Sequence, residues 1–319
     1  MMANCPKPLG ESLLSSFPFR ACKTSLRYLG LNLTPHCSDL FQANYVPILT
    51  AVEKDLSNWQ MPHVTWFGRM SVLKMNILPR LLYIFQTLPI AVPSTYFRRL
   101  KSIFTQYVWG GKAPRLSQEI LTAPKHKGGA GLPDMLLYYQ ATHLLRQLEW
   151  NSRIRSNQWV ELEEEASSIA LADLPWLPNA MVRTVVLDHP TVLPTMAVWR
   201  RLTRCTSIAP FPSPLMPVNR LPSFTPHLHP NSESNDNVRP DTFLDDDQPK
   251  PLNEIPLRYP NSFLTRFHHH RLITNLLRLA PLSAYRRPQT EYETLSMTGK
   301  VPQHGISHLY SLLQRIRNT

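Results

Sequence analysis

The sequence predicts a mainly α fold, with a short N-terminal β segment, a proline-rich linker and a C-terminal helical tail. Apolar residues recur at spacings of three and four between residues 40 and 150, which is the period of one helix face. One short run of β-forming residues, Leu26 to Leu33, precedes them. Prolines fill 12 of the 52 positions of residues 209–260, several times their usual share of about 5%. These observations favour a helical bundle followed by an extended segment.

Capping and breaking residues predict the first helices. Ser38 or Asp39 is expected to begin the first, and Pro47 either kinks it or marks its true first turn. Thr65 is expected to cap the second helix, which Pro79 ends or kinks. A third helical segment is expected from Arg80 to Leu88.

The next helices are bounded by equally local signals. Pro93-Ser94 starts a fourth helix, and Gly110-Gly111 ends it. A basic loop then closes in Gly128-Gly-Ala-Gly-Leu-Pro-Asp134, and Asp134 begins a long helix to Trp150. Helical periodicity weakens after residue 160 and returns at Phe263–Leu279 and Ile306–Ile316.

Five regions follow from these patterns. They are a disordered leader (1–20), a β segment plus helical bundle (21–160), a weakly helical connector (161–208), a proline-rich acidic linker (209–260) and a basic helical C-terminal region (261–319). The linker is expected to be extended or a set of turns, without a packed core.

The charge predicts a polyanionic partner. There are 34 Lys and Arg against 22 Asp and Glu, a net charge of +12, and basic side chains gain affinity by releasing counterions from phosphates. Residues 20–160 hold 17 basic and 6 acidic side chains, whereas residues 161–260 hold 8 and 13. The main binding surface is therefore expected in the first half. The alternative is a merely basic protein whose charges only solubilise it.

Cysteine usage and hydropathy bear on location. Cys5, Cys22, Cys37 and Cys205 form no Cys-x-x-Cys pair, so they are read as reduced thiols of an intracellular protein, nuclear or cytoplasmic. The first twenty residues lack the pattern of a signal peptide. Residues 75–92 are apolar but interrupted by two prolines and an arginine, so no membrane span is expected.

Three motifs that invite a catalytic or metal reading fit it poorly. Gly128-Gly-Ala-Gly131 lacks the Gly-Lys-Ser/Thr ending of a phosphate loop, and a tight loop with positive φ explains it better. Asp245-Asp-Asp247 lies in the proline-rich segment, where a solvated charge run is favoured over a two-metal site. His268-His-His270 would point in three directions on a helix. No catalytic residue, metal, cofactor or small-molecule ligand is predicted.

Basic side chains mixed with aromatics give the clearest binding signal. The set suits a surface that follows a sugar-phosphate backbone. Its members are Arg69, Lys74, Arg98, Arg99, Lys101, Lys112, Arg115, Lys125 and Lys127. Trp66, Phe67, Tyr96 and Trp109 are interleaved, although most of these aromatics fall on the apolar stripes and are expected in the core.

Several short motifs follow one another along the first half of the chain. They are Arg27-Tyr-Leu-Gly30, Asn58-Trp59, Trp66-Phe-Gly-Arg69, Lys74-Met-Asn-Ile-Leu-Pro79, Pro89-Ile90, Gly128-Gly129, Gly131-Leu-Pro-Asp134 and Tyr138-Tyr139. In order and spacing the series resembles the palm exit, thumb and connector of the reverse transcriptase of LINE-type non-LTR retrotransposons, in the open-reading-frame-2 polyprotein. Weaker similarity continues through His189-Pro190, Trp199, Ser213-Pro-Leu215, Tyr292-Glu293 and residues 304–313.

The resemblance implies a thumb-like bundle that contacts a template–primer duplex of RNA, DNA or both. Arg69 and Lys74 would lie in the thumb, and Lys112, Arg115, Lys125 and Lys127 in the loop before the Gly-Leu-Pro-Asp turn. The palm aspartates that bind Mg²⁺, the endonuclease and the zinc knuckle have no counterpart here. The Tyr28-Leu-Gly30 strand would close a palm, so here it is expected to be an unpaired edge or no strand.

Three hypotheses follow. The first is a truncated reverse-transcriptase-like protein that binds template–primer without polymerising, with a palm-containing polymerase chain as a candidate partner. The second is an incomplete gene model of an active RNA-directed DNA polymerase. The third is a helical protein-interaction module that uses Trp150, Trp159 and Glu161–Glu165.

Overall fold

The computed structural model describes residues 25–60, 63–151, 158–165, 167–185, 189–230, 238–245, 248–257 and 262–317. The chain divides into two compact units, an N-terminal unit of residues 1–139 and a C-terminal unit of residues 140–319. Helices dominate both and strands are short, so the predicted mainly α class is confirmed. The predicted leader, residues 1–20, lies outside the described residues.

The N-terminal unit opens with a β-hairpin. Strand β1 (Leu26–Tyr28) pairs antiparallel with β2 (Leu31–Leu33). The connecting Leu29 and Gly30 have φ of 47° and 83°, the left-handed conformation that two-residue hairpin turns require. The expectation of an unpaired edge, or of no strand, is wrong because the β-rich run folds back on itself.

Two prolines set where α-helices start in this unit. Helix α1 (Val46–Asn58) follows a π-helical turn, Phe41–Tyr45, and the expected start at Ser38 or Asp39 is instead a short 3-10 turn. Pro47 lies in the first turn of α1, directly after the π-helical turn, so its missing N–H falls where the backbone changes from one helical hydrogen-bond pattern to the other.

The second proline repeats this arrangement. Helix α2 (Trp66–Val72) runs through a π-helical turn, Leu73–Ile77, into α3 (Leu78–Thr87), with Pro79 in the first turn of α3. The predicted cap at Thr65 is confirmed, because its hydroxyl accepts from the amide of Gly68 at 3.3 Å.

Helix α4 (Ser94–Trp109) starts and ends as predicted, and Gly110 closes it with a φ of 59°. The chain continues through α5 (Gln118–Thr122) to the long helix α6 (Met135–Trp150). The predicted cap of α6 is confirmed, since Asp134 Oδ1 accepts from the amides of Leu136 and Leu137.

Aromatic side chains form the core of the N-terminal unit. Tyr45 packs edge-on against Tyr96 at 5.6 Å, and Phe85 packs against Tyr139 at 5.5 Å. Two of the buried hydroxyls are hydrogen-bonded to the backbone: Tyr45 donates to the Leu88 carbonyl at 2.7 Å, and Tyr139 donates to the Ile90 carbonyl at 2.8 Å. Burial raises the pKa of Tyr139 to about 12. This core fixes α4, so its opposite face is held towards solvent.

The C-terminal unit is also helical. Its remaining helices are α7 (Gln158–Glu165), α8 (Asn179–Val185), α9 (Val192–Cys205), α10 (Phe263–Leu279), α11 (Leu282–Arg286), α12 (Glu291–Thr298) and α13 (Gly305–Arg317). The predicted helix at Phe263–Leu279 has the predicted bounds, and α13 extends the predicted Ile306–Ile316 by one residue at each end.

The proline-rich segment contributes to a packed core, so the prediction that residues 209–260 lack one is wrong. Apolar side chains between its prolines are buried together with side chains of α10 and α11: Met216, Val218, Leu221, Leu228, Val238, Phe243, Leu244, Ile255, Leu257, Leu272, Ile273, Leu276 and Tyr285. The segment folds through short 3-10 turns. Proline fits such turns because its missing backbone N–H is not needed at turn positions. The prediction relied on the proline content and did not weigh the apolar residues that lie between the prolines.

A buried carboxylate joins distant parts of the C-terminal unit. Glu293, fully buried, accepts from Ser213 Oγ at 2.6 Å and from two nitrogens of Arg287 at 2.6 and 2.8 Å. It also accepts from the Thr290 amide at 2.8 Å and so completes a capping box on α12. Burial alone would raise the pKa of Glu293, but these hydrogen bonds and the charge of Arg287 outweigh it and hold the pKa below its usual value.

Candidate nucleic-acid interface

The surface of the N-terminal unit has a one-sided charge. Residues 63–139 carry ten Lys and Arg but only two carboxylates, Glu119 and Asp134. Asp134 caps α6, and Glu119 lies in the first turn of α5, where a negative charge is favoured by the helix dipole. Two of the ten pair with carboxylates outside this range, Arg80 with Asp55 and Arg99 with Glu53, and most of the others form no ion pair among the described residues.

Seven of the nine predicted basic side chains are exposed. They are Arg98, Arg99, Lys101, Lys112, Arg115, Lys125 and Lys127. Arg98 and Lys101 lie three apart on the outer side of α4. Arg99 forms an ion pair with Glu53 of α1, so part of its charge is used within the fold.

Arg69 has a structural role that the sequence did not indicate. Its Nη1 donates to the carbonyl of Tyr107 at 3.2 Å, at the C-terminal end of α4. Its guanidinium also lies against Gly110, where an added Cβ would come within 2.2 Å of Nη1. A cation at this end of a helix complements the helix dipole. Arg69 therefore stabilises the turn that leads into the basic loop.

The glycine turn is held by its own backbone. The amides of residues 128–132 all donate to carbonyls of residues 120–125, at 2.7–3.1 Å. Gly128 and Gly131 have φ of 78° and 68°, as the predicted tight loop requires. Because these amides are already bonded, an anion at this turn would have to be bound by side chains.

Gly129→Ala is expected to detach this turn from α5. A Cβ there would lie 2.1 Å from the backbone oxygen of Ala123, which cannot move aside as a side chain could. We expect the amides of residues 130–132 to lose protection from hydrogen exchange, with a loss of about 1–3 kcal/mol in the free energy of unfolding. His126→Ala changes an exposed side chain of the same turn and adds no Cβ near Ala123, so in this control those amides should stay protected. Unchanged protection in Gly129→Ala would contradict this reading.

Lys74 and Lys125 come together beside this turn. A Cβ added at Gly131 would lie 3.5 Å from Lys74 Nζ and 3.5 Å from Lys125 Cγ. Burial, and then the charge of Lys125, lower the pKa of Lys74. Lys74 and Lys125, two members of the predicted basic set, are therefore neighbours beside Gly131 although they are distant in the sequence.

The interleaved aromatics are mostly structural, as expected. Tyr96 and Trp109 are buried, and Trp66 stacks on Trp109 with ring centroids 5.6 Å apart. Phe67 is the exception, with 50% of its surface exposed beside Trp66. Met75, at 75%, is a further exposed apolar side chain on the helix that carries Lys74.

The other motifs have ordinary partners where they are described. Asp245 pairs with Arg286 at 2.9 Å, and residues 246 and 247 lie outside the described residues. His268 stacks on His227 with ring centroids 5.8 Å apart. In the part of the chain that the structure describes, no three His, Cys, Asp or Glu side chains cluster as metal ligands would. None of the helices described there is long and apolar enough to cross a membrane.

Three side chains of the hypothetical protein-interaction surface, Trp150, Trp159 and Glu163, have contacts within the fold. Trp150 is buried and donates to Glu163 Oε2 at 3.4 Å. Glu163 is buried in an ion pair with Arg146, whose guanidinium lies 3.9 Å from the centre of the Trp159 ring. Glu161, Leu162 and Glu165 remain exposed, so only part of the set is used within the fold.

Sequence reasoning missed a second basic surface, on the outer face of α10. Phe263 and Phe267 are 81% and 54% exposed there. Arg266, Arg271 and Arg278 are also exposed, and the helix contains no Asp or Glu. The signal was available for Phe263, Phe267, Arg271 and Arg278, because these residues are offset around the helix from the buried Leu272, Ile273 and Leu276.

No known protein-family model matches this chain.

Proposed function

We propose that the N-terminal unit binds a template–primer duplex of RNA and DNA through its phosphate backbone, in the manner of the reverse-transcriptase thumb that its sequence resembles. On this proposal the chain binds nucleic acid without polymerising by itself. The metal-binding aspartates would belong to a palm-containing polymerase chain that acts beside it.

One observation carries the proposal. The basic side chains of α4 and of the following loop reach solvent, while the two carboxylates of residues 63–139 are occupied at helix starts. A surface whose positive charges are already paired with carboxylates releases few counterions from a polyanion. A surface with unpaired positive charges releases about one counterion for each phosphate that it contacts.

The contacts expected from this surface do not depend on base sequence. Flexible Lys and Arg side chains on a helix and a loop can each reach a phosphate, and phosphates look alike along a duplex. Exposed Phe67 adds one apolar face beside them. We therefore expect strong dependence on salt and weak dependence on base sequence.

A salt titration tests the proposal. Binding of a labelled RNA–DNA hybrid to the full chain, followed by fluorescence anisotropy, is expected to weaken steeply from about 50 to 200 mM salt. Lys112→Gln and Arg115→Gln should each reduce the slope of log K against log salt by about 1. Lys300→Gln removes the same charge from an exposed site in the other unit and should leave the slope unchanged. Absence of binding at low salt, or a flat salt dependence, would refute the proposal.

A further inference from the structure

The lysine pair beside Gly131 brings two like charges to one place on the N-terminal unit. Lys74 is carried by the π-helical turn after α2, and Lys125 by the 3-10 turn Lys125–Lys127 after α5. Both approach the place where Gly131 has no side chain, each with an atom 3.5 Å from a Cβ built there. The Lys125 atom there is Cγ, and the charge of Lys125 lowers the pKa of Lys74, so the two ammonium groups repel each other.

Their charge is not balanced within the described residues. There, no carboxylate oxygen lies within 4 Å of either ammonium group, and neither group donates a hydrogen bond to the protein. Lys74 is partly buried, and its lowered pKa reflects lost solvation first and the charge of Lys125 second. The ammonium groups of Lys74 and Lys125 are two neighbouring hydrogen-bond donors, and that of Lys74 is partly desolvated. Together they form a candidate anion-binding site.

The surrounding backbone sets the kind of anion contact. Because all amides of residues 128–132 are bonded within the turn, the ammonium groups must supply the hydrogen bonds. A phosphate has several oxygens and can accept from both lysines at once, and bonds between charged groups are the stronger ones. The positive φ of Gly131, 68°, and its missing side chain keep the space between the lysines open.

We propose that Lys74 and Lys125 together bind one phosphate group over Gly131, namely a phosphodiester of the nucleic-acid backbone. This inference rests on the proposed function for the identity of the ligand. The anion site itself can be tested without nucleic acid.

Inorganic phosphate is the probe for the site. Thermal unfolding of the full chain is measured with and without phosphate, with chloride added to match the ionic strength. Phosphate is expected to raise the Tm of the wild type more than the Tm of Lys74→Gln or Lys125→Gln. Lys54→Gln, at an exposed position on α1 outside the predicted surface, should respond like the wild type. Without phosphate, Lys74→Gln is expected to be at least as stable as the wild type, because the repulsion is gone.

Nucleic-acid binding supplies the second arm. Each single substitution is expected to weaken binding of the RNA–DNA hybrid, and the double variant should lose less than the two losses combined, because both lysines contact one phosphate. If phosphate raises the Tm of the wild type, Lys74→Gln, Lys125→Gln and Lys54→Gln equally, the proposed anion site is wrong. If phosphate binding depends on the two lysines but the hybrid does not bind, the site stands and the proposed function fails. If the hybrid binds and neither lysine matters, the inference fails and the proposed function stands.

Discussion

Phe243→Ala is expected to lower the free energy of unfolding by about 3–5 kcal/mol, the usual cost of truncating a buried phenylalanine. Phe243 is fully buried in the middle of the proline-rich segment. Its ring packs edge-on against Phe224 at 6.2 Å and lies 6.3 Å from the ring of His269 on α10. The truncation would leave a cavity between the segment and the helix. Denaturant unfolding of the full chain, followed by tryptophan fluorescence and circular dichroism, measures the loss.

This prediction separates a packed segment from a linker. Phe263→Ala is the matched control, because that ring is 81% exposed at the start of α10. Its effect should stay within about 0.5 kcal/mol, as for surface positions in general. If Phe243→Ala behaves like Phe263→Ala, the proline-rich segment does not form the core described above.

Arg287→Ala is expected to lower the free energy of unfolding by about 3–5 kcal/mol, because it leaves the buried carboxylate of Glu293 without its counter-charge. Arg287 makes two bonds to Glu293 and a third, at 2.6 Å, to the carbonyl of Pro210. It therefore ties the start of α12 to the chain that leads into the proline-rich segment. Arg286→Ala is the control, since its ion pair with the half-exposed Asp245 should be worth about 0–1 kcal/mol.

The pH dependence identifies the carboxylate as the cause. In the wild type the pKa of Glu293 is lowered, so its stabilising effect is present above the ordinary Glu value of about 4.3 and is lost as the pH falls through the lowered pKa. In Arg287→Ala, burial prevails and should raise that pKa. The stability deficit should therefore be largest near pH 7 and shrink as the pH falls through the raised pKa. A deficit that is constant between pH 4 and pH 7 would show that lost packing, not charge, causes it.

Particular residues show how far sequence reasoning reached. The cap at Thr65, the stop at Gly110 and the bounds of α10 were all predicted, because each depends on groups within a few residues. The pairing of β1 with β2 was not, although both strands lie within eight residues. Leu29 adopts a positive φ there, which a leucine rarely does.

Partner choice over long distances was beyond the sequence. Nine basic residues formed one predicted set, and the fold gave its members different roles. Arg69 supports the end of α4, Arg99 pairs with Glu53, and Lys74 approaches Lys125. A sequence shows that a charge is present, but only the packing of helices decides which groups lie near it.

By itself the sequence determined the mainly α class, several helix ends and the basic character of the first half. Caps, glycine stops and helical periodicity act within single turns, so they can be read locally. Only the tertiary structure decided that the proline-rich segment has a core and that Lys74 and Lys125 meet over Gly131. Burial and electrostatic repulsion depend on which surfaces face each other, and distant parts of the chain set that together.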